Sequence, residues 1–196
     1  SKNCIMYVHE SLREELFNAY VMAPIIMEKA NSLIFVTNRS MQVYNDILYK
    51  RQNQNLNIIP NALPNGLVVN SQINSSMNNI RDSLNLPQGA VLFVISGDVY
   101  SNRNQDTFVK AAEKVMETSS VNAYFMIIGF SENNPYQLMV RQLVTNSKYS
   151  SRFRIFDKMT HQKAMEYVAA ADVYVSLAFL ESFGLTLLEA MTMGLP

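Results

Sequence analysis

Cysteine, tryptophan and charge are all scarce in this chain. Of its 196 residues one is cysteine, Cys4, and none is tryptophan. A lone thiol excludes an intramolecular disulfide framework and a cysteine-rich zinc site, and it suits a reducing cytoplasm. Charged residues make up only 16%, with 16 basic balanced by 16 acidic, so the formal net charge is zero. Such a chain has no broad surface for tracking phosphates, which argues against DNA or RNA as the main partner. No apolar run approaches the roughly 20 residues of a membrane span. The first residues lack the basic-then-apolar plan of a signal peptide. No H-E-x-x-H, Walker loop or other metal-ligand spacing occurs.

What the chain does have is apolar content, 48% of its residues, enough for a sizeable core, in a length that allows one full domain or one domain plus part of a second. Short apolar runs alternate with longer helical patterns, the signature of a parallel α/β sheet with helices on both faces. Ile5–Val8, Leu33–Val36 and Leu56–Ile59 read as strands. A helix is expected from about Leu12 to Ala30, kinked at Pro24, and another from Asn38 to about Lys50. Pro60-Asn61-Ala62-Leu63-Pro64-Asn65-Gly66 cannot sit in a regular element, and Val69 to about Asn79 is Asn- and Ser-rich without an apolar period, which predicts a linker. The alternation then restarts. Strands are expected at Val91–Ser96, Ala123–Ile128, Phe153–Phe156 and Val173–Ser176, and helices over 104–118, 135–146, 161–171 and 185–193. The predicted division is 1–66, a linker at 67–80, and 81–196. Gly194-Leu195-Pro196 reads as a helix-to-strand turn with no strand after it, which leads us to expect a fragment.

The most informative segment is Glu181-Ser182-Phe183-Gly184-Leu185-Thr186-Leu187-Leu188-Glu189. On one helix the two carboxylates would lie roughly 12 Å apart along the axis, beyond the roughly 5–9.5 Å of a glycosidase pair. With Gly184 at a loop-to-helix bend, Glu181 falls in the loop and Glu189 in the second turn, so both can line one elongated ligand. The free N–H groups around Gly184, Leu185 and Thr186 form a helix N-terminus able to receive phosphate. Hydroxyls at both ends and phosphate in the middle describe a nucleotide sugar.

Glu181–Pro196, ending in Glu189-Ala190-Met191-Thr192-Met193-Gly194-Leu195-Pro196, resembles the E-x7-E block of the retaining nucleotide-sugar glycosyltransferases of the GT-B fold, family 4 (glycosyl transferase group 1). Three further stretches fit. Ile58-Ile59-Pro60-Asn61-Ala62 is similar to the family's strand-to-linker junction, and Gly97 to Gln105 has the length of its donor loop. Tyr7-Val8-His9-Glu10-Ser11 resembles the strand end that presents a histidine to the sugar. The resemblance implies two Rossmann-like domains: residues 1–66 would be the last part of the acceptor-side domain, and 81–196 a donor-binding domain truncated at its C-terminus. It implies that Glu189 holds ribose hydroxyls and that Glu181 lies near the sugar hydroxyls. The backbone amides of Phe183, Gly184 and Leu185 would meet the donor's diphosphate, Gly97 and Ser182 would also bind the donor, Arg103 would replace a lysine facing the diphosphate, and His9 would approach the transferred sugar. Glu181, His9 and Arg103 are thus the candidate catalytic residues. Asp98 departs from the pattern, standing where the family has arginine, and a carboxylate there would repel a diphosphate unless it points elsewhere. Asp157 and Ser182 are milder departures.

The activity implied is transfer of a sugar from a UDP-, GDP- or ADP-sugar to a sugar- or lipid-linked acceptor hydroxyl, with retention and without metal or other cofactor. It would serve polysaccharide or glycoconjugate synthesis in the cytoplasm, and the full-length protein could contact the cytoplasmic face of a membrane; the 196-residue piece alone would not turn over. Asp98 favours a different class, a non-catalytic accessory subunit of the same fold, and an isomerase or phosphorylase would share the architecture. His161, beside Thr160 at a helix start, reads as a surface residue, and Cys4 as a small buried one.

Overall fold

The computed structural model describes residues 4–8, 29–47, 55–63, 71–131, 134–179 and 181–196. The expected helix over 12–30 with its Pro24 kink lies almost entirely outside these residues, as do the Pro64–Gly66 turn and the first four residues of the expected linker. The chain forms two compact units, one of Ser1–Ala62 with Leu180–Leu185, the other of Leu63–Phe179 with Thr186–Pro196.

In the first unit, β1 (Ile5–Val8), β2 (Ser32–Phe35) and β3 (Asn55–Ile58) form a parallel sheet in that order. The side-chain period of two sorts each strand. Met6, Leu33 and Leu56 are in register, as are Val8 and Phe35, and all five join one apolar cluster with Ala30 and Met41. Tyr7 takes the opposite face and its hydroxyl donates to the Ile59 carbonyl at 2.7 Å, anchoring the Ile59–Pro60 exit. Helix α1 (Asn38–Ile47) starts at a reciprocal pair: the Ser40 amide donates to Thr37 Oγ1 at 3.1 Å and Ser40 Oγ to the Thr37 carbonyl at 2.8 Å. Cys4, expected to be buried, is exposed, because it precedes the first strand rather than facing the cluster.

The second unit is built on β4 (Val91–Ser96), β5 (Ala123–Phe130), β6 (Phe153–Asp157) and β7 (Val173–Tyr174), all parallel, in the order β6-β5-β4-β7. Its helices are α2 (Ser71–Ser83), α3 (Gln105–Thr118), α4 (Pro135–Asn146), α5 (His161–Ala169) and α6 (Leu185–Thr192). Alternation along β4 and β5 feeds two separate cores. Leu92, Val94, Met126 and Ile128 pack with Ile80 of α2, Met165 and Val168 of α5 and Ala190 of α6. Ile95, Phe125 and Ile127 pack with Phe108, Val109 and Ala112 of α3 and Val140 and Val144 of α4. The sheet is therefore covered on both faces, the Rossmann-like α/β arrangement expected from the alternation.

The expected linker is corrected in part: from Ser71 it is helix α2, not irregular chain. The reason is tertiary. Ile80 and Leu84 enter the core and Met77 packs against it, while Arg81 Nη1 donates to the Ala170 carbonyl at 2.9 Å and to Asp172 Oδ2 at 3.0 Å. The last strand ends at Tyr174 rather than Ser176; beyond it the chain turns aside to line a cavity.

Candidate functional site

The strand order contains a reversal. From β4 the chain winds outward through β5 to β6, then returns to place β7 on the other side of β4. Loops leaving the carboxyl ends of β4 and β7 therefore diverge, and the crevice between them is where open parallel sheets hold ligands. A cavity lies there, lined by Ile95, Ser96, Arg103, Gln105, Tyr174, Val175–Ala178 and Thr186.

Its walls are tied together by backbone geometry. Asn104 adopts the left-handed conformation, φ 55° and ψ 40°, between the 3-10 turn Ser101–Arg103 and helix α3. From there its Nδ2 donates to the Leu177 carbonyl at 2.8 Å, and the Phe179 amide donates to the Asn102 carbonyl at 2.9 Å. The turn carrying Arg103 is thus fixed to the segment leaving β7. Gln105 is buried; its Nε2 donates to the Asp98 carbonyl at 3.1 Å, and its Oε1 has no hydrogen-bond partner among the described residues. A water or hydroxyl in the cavity would satisfy that acceptor.

Tyr174 marks how close the candidate residues come to one another. Burial pushes its phenol above the usual range, opposed by a hydrogen bond with Thr186 and the charge of Arg103, while the charge of Glu189 adds to the rise. Its hydroxyl donates to the Ser96 carbonyl at 3.2 Å. Arg103, Thr186, Tyr174 and Glu189 accordingly share one neighbourhood. Glu189 is held as well: His161 Nε2 lies 2.7 Å from its Oε1, with the carboxylate side chain only 9% exposed.

The loop leaving β4 begins at Gly97, whose amide donates to the Ile128 carbonyl at 3.1 Å. Asp98 Oδ1 forms an ion pair with Lys158 Nζ at 2.9 Å. Asp157, the other acidic departure, pairs with Arg141.

The remaining expected residues divide. Glu181, Ser182 and Phe183 are half-buried, Gly184 is buried with φ +83°, and Leu185 is exposed as the first residue of α6. The Gly184 conformation favours glycine and lets the loop turn into the helix. Glu181–Leu185 pack with the first unit, whereas Gly97, Arg103 and Glu189 belong to the second. His9 lies outside the described residues. His161 is the exposed first residue of its helix, as the sequence suggests, but its contact with Glu189 and that of Lys158 with Asp98 are not foreseen; the signal for both is position, since both residues follow β6 at the same carboxyl edge of the sheet. Among the described residues no three His, Cys, Asp or Glu side chains gather as a metal site, and no helix among them is long and apolar enough to cross a membrane.

Comparison with known proteins supplies the decisive observation: the family profile described as glycosyl transferases group 1 matches residues 76–196, more than half of the chain. The chain belongs to the glycosyl transferases group 1 family. The phosphatidylinositol N-acetylglucosaminyltransferase GPI3 subunit of Saccharomyces cerevisiae is 22% identical over 105 residues, 54% of this chain and 22% of that protein. Anabaena HepE, solved in complex with UDP and glucose, superposes with a TM-score of 0.84 at 16% identity, over 100% of this chain and 52% of that one. Sucrose-phosphate synthase from Thermosynechococcus elongatus gives 0.77 at 18% identity, over 98% and 48%. At these identities the structures show a shared fold, and this group 1 chain spans about half of each.

Proposed function

We propose that this group 1 chain is part of a retaining glycosyltransferase of family 4, which moves a sugar from a nucleoside-diphosphate sugar to an acceptor hydroxyl. In this reading residues 1–66 close an acceptor-side domain and 81–196 hold most of the donor. The observation that carries it is the cavity at the β4/β7 reversal, where Arg103 and Thr186, at the start of α6, line one wall system and Glu189 stands close by. A cation and a helix N-terminus are the groups that stabilise negative charge on a departing diphosphate. A buried carboxylate next to them suits the two hydroxyls of a ribose, each donating to it. HepE, a structure of the same fold, was solved with UDP and glucose, and the GPI3 relative is named for transferring N-acetylglucosamine; both make a nucleotide-sugar donor the natural substrate class.

The chemistry assigned to the chain follows from those groups. Charge builds on the diphosphate as the glycosidic bond breaks, so Arg103 acts more in the transition state than in the ground state. Cations and amide dipoles provide this without requiring a divalent metal. Glu181 and His9 are proposed to contact the transferred sugar, and Gly97, Ser182, Phe183, Gly184 and Leu185 the diphosphate. The acceptor is a sugar- or lipid-linked hydroxyl recognised mainly by the acceptor-side domain, with the protein working in the cytoplasm or at the cytoplasmic face of a membrane. Asp98 favours a second reading, a non-catalytic accessory subunit, but Lys158 at 2.9 Å offsets its charge, which puts the transferase first.

The test is transfer itself. The full-length protein is incubated with radiolabelled UDP-, GDP- and ADP-sugars and with sugar or lipid acceptors. A labelled product of retained anomeric configuration supports the proposal, an inverted product overturns retention, and binding of donor without transfer favours the accessory subunit.

A further inference from the structure

We infer that His161 is a positioning residue that fixes the Glu189 carboxylate for a ribose diol, a role that rests on the nucleotide-sugar reading above. Its Nε2 lies 2.7 Å from Glu189 Oε1. An ionised carboxylate only accepts hydrogen bonds, so the tautomer with its proton on Nε2 is the one that donates in this contact. The two partners are unequal: the Glu189 side chain is 9% exposed and that of His161 59%. The buried member is the one that needs a partner, because a carboxylate withdrawn from water without a donor is strongly disfavoured.

The backbone of His161 is set by a helix start. This residue is the first of α5, and the preceding Thr160 caps that helix, its side chain accepting from the Lys163 amide. Glu189 lies on α6, and its carbonyl accepts from Thr192 Oγ1 at 2.7 Å. Two helices from different loops at the carboxyl edge of the sheet are therefore linked through one imidazole–carboxylate contact. A glutamate in the second turn of a helix has three side-chain torsions to choose from, and His161 selects one arrangement before any ligand arrives. A carboxylate has about four lone-pair directions, and His161 fills one of them. A ligand with two adjacent hydroxyls is the chemical class that exploits a carboxylate held in one orientation.

The test measures nucleotide affinity of the full chain by calorimetry, for wild type, His161→Leu and His161→Gln, with UDP, ADP and GDP. The nucleotide that binds is then compared with its 2′,3′-dideoxy counterpart. Losing a preorganising contact on a rotamer-rich side chain should weaken binding about tenfold in His161→Leu. His161→Gln, whose amide nitrogen can reach the position of Nε2, should stay within about twofold of wild type. The dideoxy nucleotide should bind His161→Leu and wild type alike, since the diol that senses Glu189 is gone. Equal weakening for both nucleotides, or for neither, overturns the positioning role. Should His161→Leu fold poorly, His161→Ala takes its place in the same comparison: weakening with the ribose nucleotide but not with its dideoxy counterpart supports the role, and weakening with both or with neither overturns it. A wild type that binds ribose and dideoxy forms equally, or binds no nucleotide, refutes instead the ribose reading of Glu189 on which the inference stands.

Discussion

Asp98 and Lys158 join the loops after β4 and β6 through an ion pair of 2.9 Å. Both side chains are about half exposed, 48% and 61%, and pairs of that kind contribute about 0–1 kcal/mol to stability. Its importance lies in where the charge points. Asp98 follows Gly97 at the start of the loop leaving β4, and Lys158 Nζ balances its carboxylate.

Lys158→Ala should therefore leave the melting temperature nearly unchanged while weakening nucleoside-diphosphate binding, by roughly 3–10-fold, since an uncompensated carboxylate then faces the diphosphate through partly screened solvent. Asp98→Asn added to that variant should restore affinity. Calorimetry on the two variants checks this, and unchanged affinity in Lys158→Ala would detach the pair from the donor site.

Arg103 should control turnover. In the full-length enzyme Arg103→Ala is expected to lower kcat about 10²-fold, the scale seen when one preorganised charge-stabilising donor is removed, with a smaller change in donor KM. Arg103→Lys should recover part of the rate, because it keeps the charge and loses the planar fork. Steady-state kinetics with the identified donor decides it; a large KM change at constant kcat would make Arg103 a ground-state binder only.

Gly129 is a fold prediction. It adopts φ +126°, and a β-carbon there would run into the Gly97 carbonyl at the start of the loop leaving β4. Gly129→Ala should destabilise the protein by about 2–3 kcal/mol, combining left-side backbone strain with a backbone collision. Urea denaturation with an unchanged m-value measures that loss directly.

Tyr136 links pH to stability. Burial, with the neighbouring Asp106 accepting from its hydroxyl at 2.9 Å, pushes its phenol up to about 12. The folded state then keeps this proton when the unfolded chain has lost it near 10, so folding stability falls as pH rises from about 10 to 12. Tyr136→Phe should flatten that part of the curve. Denaturation midpoints of the two proteins at pH 9, 10.5 and 12 test it, and parallel curves would sink the assignment.

The sequence makes much of this architecture readable, for identifiable reasons. Val91–Ser96 is found at its observed bounds because a strand buried on both faces is a continuous apolar run closed by a glycine, here Gly97. Helix α3 follows from Phe108, Ala112 and the turn before it. Helix α2 escapes detection because it opens on Ser, Asn and Gln, and what holds it is Arg81 reaching Ala170, 89 residues away. His161 reads as surface and is exposed, with 59% of its side chain accessible; what the local sequence does not give is its partner Glu189, 28 residues on. Local pattern carries strands and caps, whereas a contact between two loops at one sheet edge is written nowhere in the local sequence. The E-x7-E block shows the same split. Glu189 sits in a described neighbourhood with Arg103 and Thr186, whereas Glu181 packs with the other unit.

The central claim is that the crevice at the β4/β7 reversal receives a nucleoside diphosphate. The most direct measurement is a titration of the protein with UDP, GDP and ADP, following backbone amide shifts by NMR. Saturable shifts at Ser96, Arg103, Gln105, Thr186 and Glu189 with one of the three are the predicted result, and would also name the base. Saturable binding that leaves those amides unmoved and perturbs others would contradict the account.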